Sequence, residues 1–157
     1  MLALLLFLGI ACVAQTTNST DSSVVPADIS GMYNFQREGE FVQINVEEGS
    51  RVTGFISRIA GSVADQGEVL DHMFKAGELK GKHIHFTTRT VHGVYYEFDG
   101  TVERGDAKDV SAEGYRVLRG KLTEYTEDAN KKLTSKERVV ALKSFPQDAM
   151  TDHPVKN

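Results

Sequence analysis

Tryptophan is absent from this chain of 157 residues, cysteine occurs once and proline three times. One cysteine, Cys12, allows no disulfide within the chain, so a fold must rest on its core alone. Asp and Glu outnumber Lys and Arg by 22 to 18, a formal charge of −4, and no Lys/Arg block occurs. That argues against nucleic acid or an anionic membrane surface as a partner. Catalytic signatures are missing as well. There is no Gly-x-Ser-x-Gly elbow, no phosphate-binding Gly loop and no His-Glu-x-x-His. Asp71-His72 lies near no nucleophile in sequence, and Glu47-Glu48 reads as solvated turn charge. The expectation leans away from an enzyme without closing that reading, and no cofactor is expected.

The one long apolar run is Met1 to Ala14, which carries no charge. It is shorter than the roughly 20 residues that span a bilayer and has the length of a signal-peptide core ending in small residues. Residues 1–14 are therefore read as a signal peptide and the protein as exported: periplasmic, extracellular or lipid-anchored. Two processing routes stay open. Cleavage after Ala14 is one. Lipidation of Cys12 in the lipobox-like Gly9-Ile10-Ala11-Cys12 is the other, and it would be the chain's one membrane contact. Residues 15–28, rich in Thr, Ser and Asn, read as a flexible linker, and residues 147–157 as a loose tail. Asn18-Ser19-Thr20 is a glycosylation sequon, relevant only in a eukaryotic secretory pathway.

Residues 29–146 form the single domain. Short alternating stretches separated by Gly-containing turns predict antiparallel strands. Ile29, Gly31, Tyr33 and Phe35 share one face. Pairing Val46 with Val52 also sets Ile44 against Gly54 and Val42 against Ile56, so one register gathers every apolar residue on one side. A three-residue loop, Val91-His92-Gly93, pairs Phe86 with Phe98 and Ile84 with Gly100, with Gly93 at the left-handed position. Tyr115 to Thr126 pairs with Ser135 to Phe145. Val69 to Ala76 has apolar residues at helical spacing between a capping box and Gly77, and is read as a short helix; an irregular strand is the competing reading. Seven strands, or eight with that segment, predict an all-β, antiparallel up-and-down meander closing into a roughly eight-stranded barrel.

The opening Ser30-Gly31-Met32-Tyr33, the alternating hairpins and a last strand carrying Arg138 resemble the calycin superfamily of lipocalins and avidins. Tyr33 stands where those families have tryptophan, and the resemblance implies a basic residue of the last strand stacked over it. The chain is also similar to small exported bacterial β proteins.

Three functions follow as expectations. The first is a binding module for a small apolar or amphipathic ligand, held against the inward aromatics Tyr33, Phe86, Tyr96 and Phe98. The second is metal binding by a His-x-His strand pair, His83 and His85, with Asp99 opposite and His72 or His92 completing the set. The third is a structural or interaction role with a component of the cell envelope, through the polar loop from Gly105 to Glu113.

Overall fold

Period-two alternation dominates the molecule. The computed structural model describes residues 29–60 and 67–146; the signal peptide, linker and tail read from the sequence lie outside the described residues. Eight strands follow one another: β1 (Gly31–Asn34), β2 (Phe41–Val46), β3 (Val52–Ile59), β4 (Val69–Lys80), β5 (His83–Thr88), β6 (Val94–Arg104), β7 (Arg116–Glu127) and β8 (Leu133–Lys143). They form one antiparallel sheet in the order β1 to β8. The sheet curls until β8 returns to β1. There Tyr33 and Ser144 form an isolated bridge, and Phe145 N–H donates to the Met32 carbonyl at 2.8 Å. The fold is all-β, an up-and-down calycin-like barrel.

The β2–β3 hairpin has the predicted register, Val46 with Val52, Ile44 with Gly54 and Val42 with Ile56. So has the β5–β6 ladder, with Phe86 opposite Phe98 and His85 opposite Asp99. Its turn differs from the expected three-residue loop. His92 (φ 48°) and Gly93 (φ 75°) form a two-residue turn closed by reciprocal hydrogen bonds between Val91 and Val94, the primed geometry that matches strand twist. The one-residue offset is absorbed before the turn, where Arg89 N–H leaves the hairpin for the Met73 carbonyl at 2.8 Å.

The helix expected over Val69 to Ala76 is instead the first part of β4, hydrogen-bonded to β3 on one side and β5 on the other. A bulge at Lys75, where the register shifts between Phe74 and Ala76, explains the helical look of the sequence. An extra residue exchanges the faces of a strand, so the inward set passes from His72 and Phe74 to Gly77 and Leu79. Val69 and Met73 face outward, 62% and 49% exposed. Two ladders outweigh a local helical preference.

The inward set makes the core. Tyr33, Val42, Ile44, Ile56, Ile84, Phe86, Tyr96, Phe98, Leu118 and Leu122 are each at most 1% exposed. Phe74, Phe86 and Phe98 stack across three strands, with centroids 4.2 and 5.3 Å apart. Room for the last ring comes from Gly100, paired with Gly120. A Cβ at Gly100 would lie 2.7 Å from Phe98 Cζ. Burial of each aromatic contributes about 1.5–3 kcal/mol.

Candidate functional site: a charged layer at the hairpin end of the barrel

One step along each strand from this core, toward the β1–β2, β5–β6 and β7–β8 turns, the inward positions change chemistry. Ile56 is followed by Arg58, Phe98 is preceded by Tyr96, Leu122 is followed by Glu124, and Phe74 and Val140 are preceded by His72 and Arg138. The ladders bring these positions together, with Ile56 opposite His72, Tyr96 opposite Glu124 and Leu122 opposite Arg138. The alternation that fills the core therefore assembles two guanidinium groups, one carboxylate, one phenol and one imidazole in a single layer.

Tyr96 is its centre and is 1% exposed. Its hydroxyl accepts from Arg58 Nη1 and donates to Glu124 Oε2 at 3.2 Å, and its backbone N–H donates to Thr88 Oγ1 at 2.9 Å. Arg138 Nη2 lies 3.5 Å from the same Glu124 oxygen, and its Nη1 donates to Gln36 Oε1 in the β1–β2 turn. Phe35 meets the Tyr96 ring edge-on at 5.5 Å. Arg138 and Glu124 keep 30% and 25% of their side chains exposed, so this edge of the layer meets solvent while Tyr96 and His72 lie beneath it.

His72 is fully buried and stands edge-on to Tyr96, centroids 5.2 Å apart. Neither ring nitrogen meets a partner at hydrogen-bonding geometry, and Arg138 Nε also lacks one. Burial holds the imidazole below its ordinary range, and the Arg58 charge acts in the same sense; backbone groups of Arg89 and Val94 pull the other way. Burial also pushes the Tyr96 hydroxyl well above the usual phenol range, with Arg58 opposing it. The layer thus holds two guanidinium groups and one carboxyl group around a phenol that resists losing its proton and an imidazole that resists gaining one. Unpaired buried polar atoms cost free energy unless a partner arrives, so the arrangement suits a ligand offering acceptors or a negative group.

The four aromatics singled out from the sequence do not stay together. Phe86 and Phe98 are central in the stack, and Tyr96 belongs to the charged layer. Tyr33 bends toward the opposite end, donating to the Ile29 carbonyl at 2.7 Å. Arg138 does not occupy the place the family resemblance gave it. It lies six residues from Ser144, which bridges Tyr33, and that is about 20 Å along a strand. The basic residue lining a cavity with Tyr33 is Arg116. Arg58, Glu124 and Gln36 were missed in the sequence; continuing each inward face one step past its last apolar residue finds the first two.

His83, His85 and Asp99 meet on the outer face. His83 Nε2 is 3.2 Å from one Asp99 oxygen and His85 Nδ1 is 3.5 Å from the other. Asp99 thus separates the imidazoles. Among the described residues no group of three or more His, Cys, Asp or Glu side chains is arranged to hold a metal ion.

No family model and no curated protein sequence matches the chain. Solved structures do. The chain is similar to rhizavidin, with a TM-score of 0.59 at 11% identity over 81% of this chain and 88% of that one. It is similar to rhizavidin in a biotin complex, with a TM-score of 0.54 at 13% identity over 82% of this chain and 100% of that one. Apo short afifavidin gives a TM-score of 0.53 at 16% identity, over 77% of this chain and 98% of that one. These are likenesses of fold, and they make the barrel avidin-like.

Proposed function

We propose that this protein is an exported binding module that holds a small amphipathic molecule at the hairpin end of its barrel. The observation that carries the reading is the position of Tyr96, a buried phenol gripped by Arg58 and Glu124 directly above an aromatic stack. The ligand's polar or negative group is met by Arg58, His72 and Arg138, and its apolar part lies against Phe35 and the Tyr96 ring. Phe86 and Phe98 support that floor from below. Biotin, bound by rhizavidin in one of the similar structures, is a reasonable first probe. Tryptophan is absent here, so the panel must reach beyond it. Export rests on the uncharged apolar stretch 1–14 and the polar linker after it. Simple cleavage gives a mature chain starting at Gln15, which mass spectrometry of the secreted protein reads directly.

Calorimetric titration with biotin and a panel of small amphipathic acids and amides tests the binding role. A binder should lose about 10- to 100-fold in affinity in Tyr96→Phe or Arg58→Gln, as expected when a hydrogen bond to a charged group is lost. Binding that is indifferent to both substitutions would place the site elsewhere.

A further inference from the structure

At the opposite end of the barrel lies a second feature that the proposed binding role does not use. A cavity of about 230 Å³ opens where β1 meets β8. Met32, Tyr33, Phe145 and Pro146 supply apolar walls, and Arg116 and Ser144 supply polar groups. Arg116 is only 8% exposed. Its backbone is tied on both sides to Ser144, by Arg116 N–H to Ser144 Oγ at 3.2 Å and Ser144 N–H to the Arg116 carbonyl at 2.9 Å. The guanidinium has no such support. Its Nε is buried without a hydrogen-bond partner, and no ion pair of this side chain exists among the described residues. Its one charge-related neighbour is the face of Tyr115, 5.6 Å away, a ring already covered by Arg104 at 3.4 Å. Arg37, Arg51, Arg119 and Arg138, by contrast, each face a carboxylate.

Arg116 is a largely buried side chain whose Nε has no partner, an unpaired buried polar atom is costly, and the guanidinium's fork of donors fits a carboxylate. Among the described residues the cavity has no acid of its own. Ser144 Oγ accepts from the Arg116 amide, so its hydroxyl proton is free to be donated. The volume is below the roughly 300 Å³ of pockets that enclose whole drug-sized ligands. It fits a small acid.

We infer that this cavity is a second ligand site, which takes a carboxylate carrying a short aliphatic chain. The carboxylate pairs with Arg116 and accepts from Ser144, and the chain lies against Met32, Tyr33, Phe145 and Pro146.

Calorimetry on the full chain with hexanoate, hexan-1-ol and inorganic phosphate tests this. Hexanoate should bind saturably at a site that depends on Arg116, and each of the other two should bind more weakly there, because each supplies half of the recognition. Arg116→Gln should weaken hexanoate about 10- to 100-fold, with circular dichroism and the urea midpoint reporting that the fold is kept. If that variant fails to fold, Ser144→Ala gives the same reading with a smaller loss. Tyr96→Phe, at the other end, should leave the Arg116-dependent component of hexanoate binding unchanged, so failure here and failure of the charged-layer site are told apart. The inference is overturned by absence of saturable hexanoate binding, by equal affinity in Arg116→Gln, or by phosphate binding as tightly as hexanoate. Binding that appears only after Asp148→Asn plus Asp152→Asn would assign Arg116 to the chain's own tail, and would also overturn it.

Discussion

The middle of the barrel and its hairpin end are built from the same strands and the same inward positions, two residues apart, and they could hardly differ more. In the middle stand Phe74, Phe86, Phe98 and Leu122. At the end stand His72, Tyr96, Glu124, Arg58 and Arg138. The first set explains itself: rings at 4.2 and 5.3 Å centroid spacing, buried in a curled sheet, are what the hydrophobic effect and close packing produce. The second set does not help the fold in that way. Apolar residues at those positions would need no polar partners, whereas neither ring nitrogen of His72 meets one at hydrogen-bonding geometry. That contrast is the ground on which the proposed ligand site rests.

The sharpest way to break this contrast is at its apolar pole. Phe98→Ala should cost about 3–5 kcal/mol, read as a fall in the urea midpoint, because it removes the ring that Gly100 and Gly120 make room for. A loss below about 1 kcal/mol, the level of a well-tolerated surface change, would mean that the middle of the barrel is not the core. Next in size is a pH effect at the polar pole. The folded imidazole of His72 resists protonation, whereas the unfolded one titrates normally. The folded state therefore binds fewer protons. Stability from this group is complete above the unfolded histidine pKa and is lost as pH falls below it, by at most about 1.4 kcal/mol per pH unit. His72→Leu should remove that part of the acid loss, seen as a flatter dependence of unfolding free energy below about pH 6.5. Identical slopes for the two proteins would show His72 to be outside the coupling. The smallest effect lies outside the barrel. Asp99→Ala should shift stability by no more than about 0.5 kcal/mol, since the side chains of Asp99, His83 and His85 are 50%, 49% and 36% exposed.

Much of the fold was legible because side-chain period constrains register so tightly. Pairing Val46 with Val52 puts Val42, Ile44, Val52 and Ile56 inside, with Phe41 and Phe55 meeting on the opposite face. A slip of one residue would exchange the two faces, and the same holds for Phe86 and Phe98. The segment from Val69 was misread for a physical reason. A bulge at Lys75 exchanges the faces of β4 midway, and outward Val69 and Met73 complete a false helical spacing. The turn at His92-Gly93 was misplaced by one residue because the offset is absorbed by a backbone bond from Arg89 to another hairpin, which no local pattern records. The candidate site was legible only in its aromatic half. Aromatics announce themselves as inward by alternation, whereas Arg58, Glu124 and Arg138 look like ordinary surface charge until the strands are laid side by side. Arg138 was drawn toward Tyr33 by family resemblance, and the β7–β8 register carries it to the other end of the barrel.

The most direct test of the central claim replaces the charged layer with apolar residues of similar size. Arg58→Met, Tyr96→Phe, Glu124→Leu and Arg138→Met, made together, remove both guanidinium groups, the hydroxyl held between Arg58 and Glu124, and the carboxylate that Arg138 faces. Substituting a whole partly buried ion network in this way is often neutral or stabilising, by about 1–4 kcal/mol. If the layer exists for a ligand, the quadruple variant keeps the circular dichroism of the parent and unfolds at the same or a higher urea concentration. A quadruple variant that unfolds at distinctly lower urea would show that this layer serves the fold, and would contradict the account.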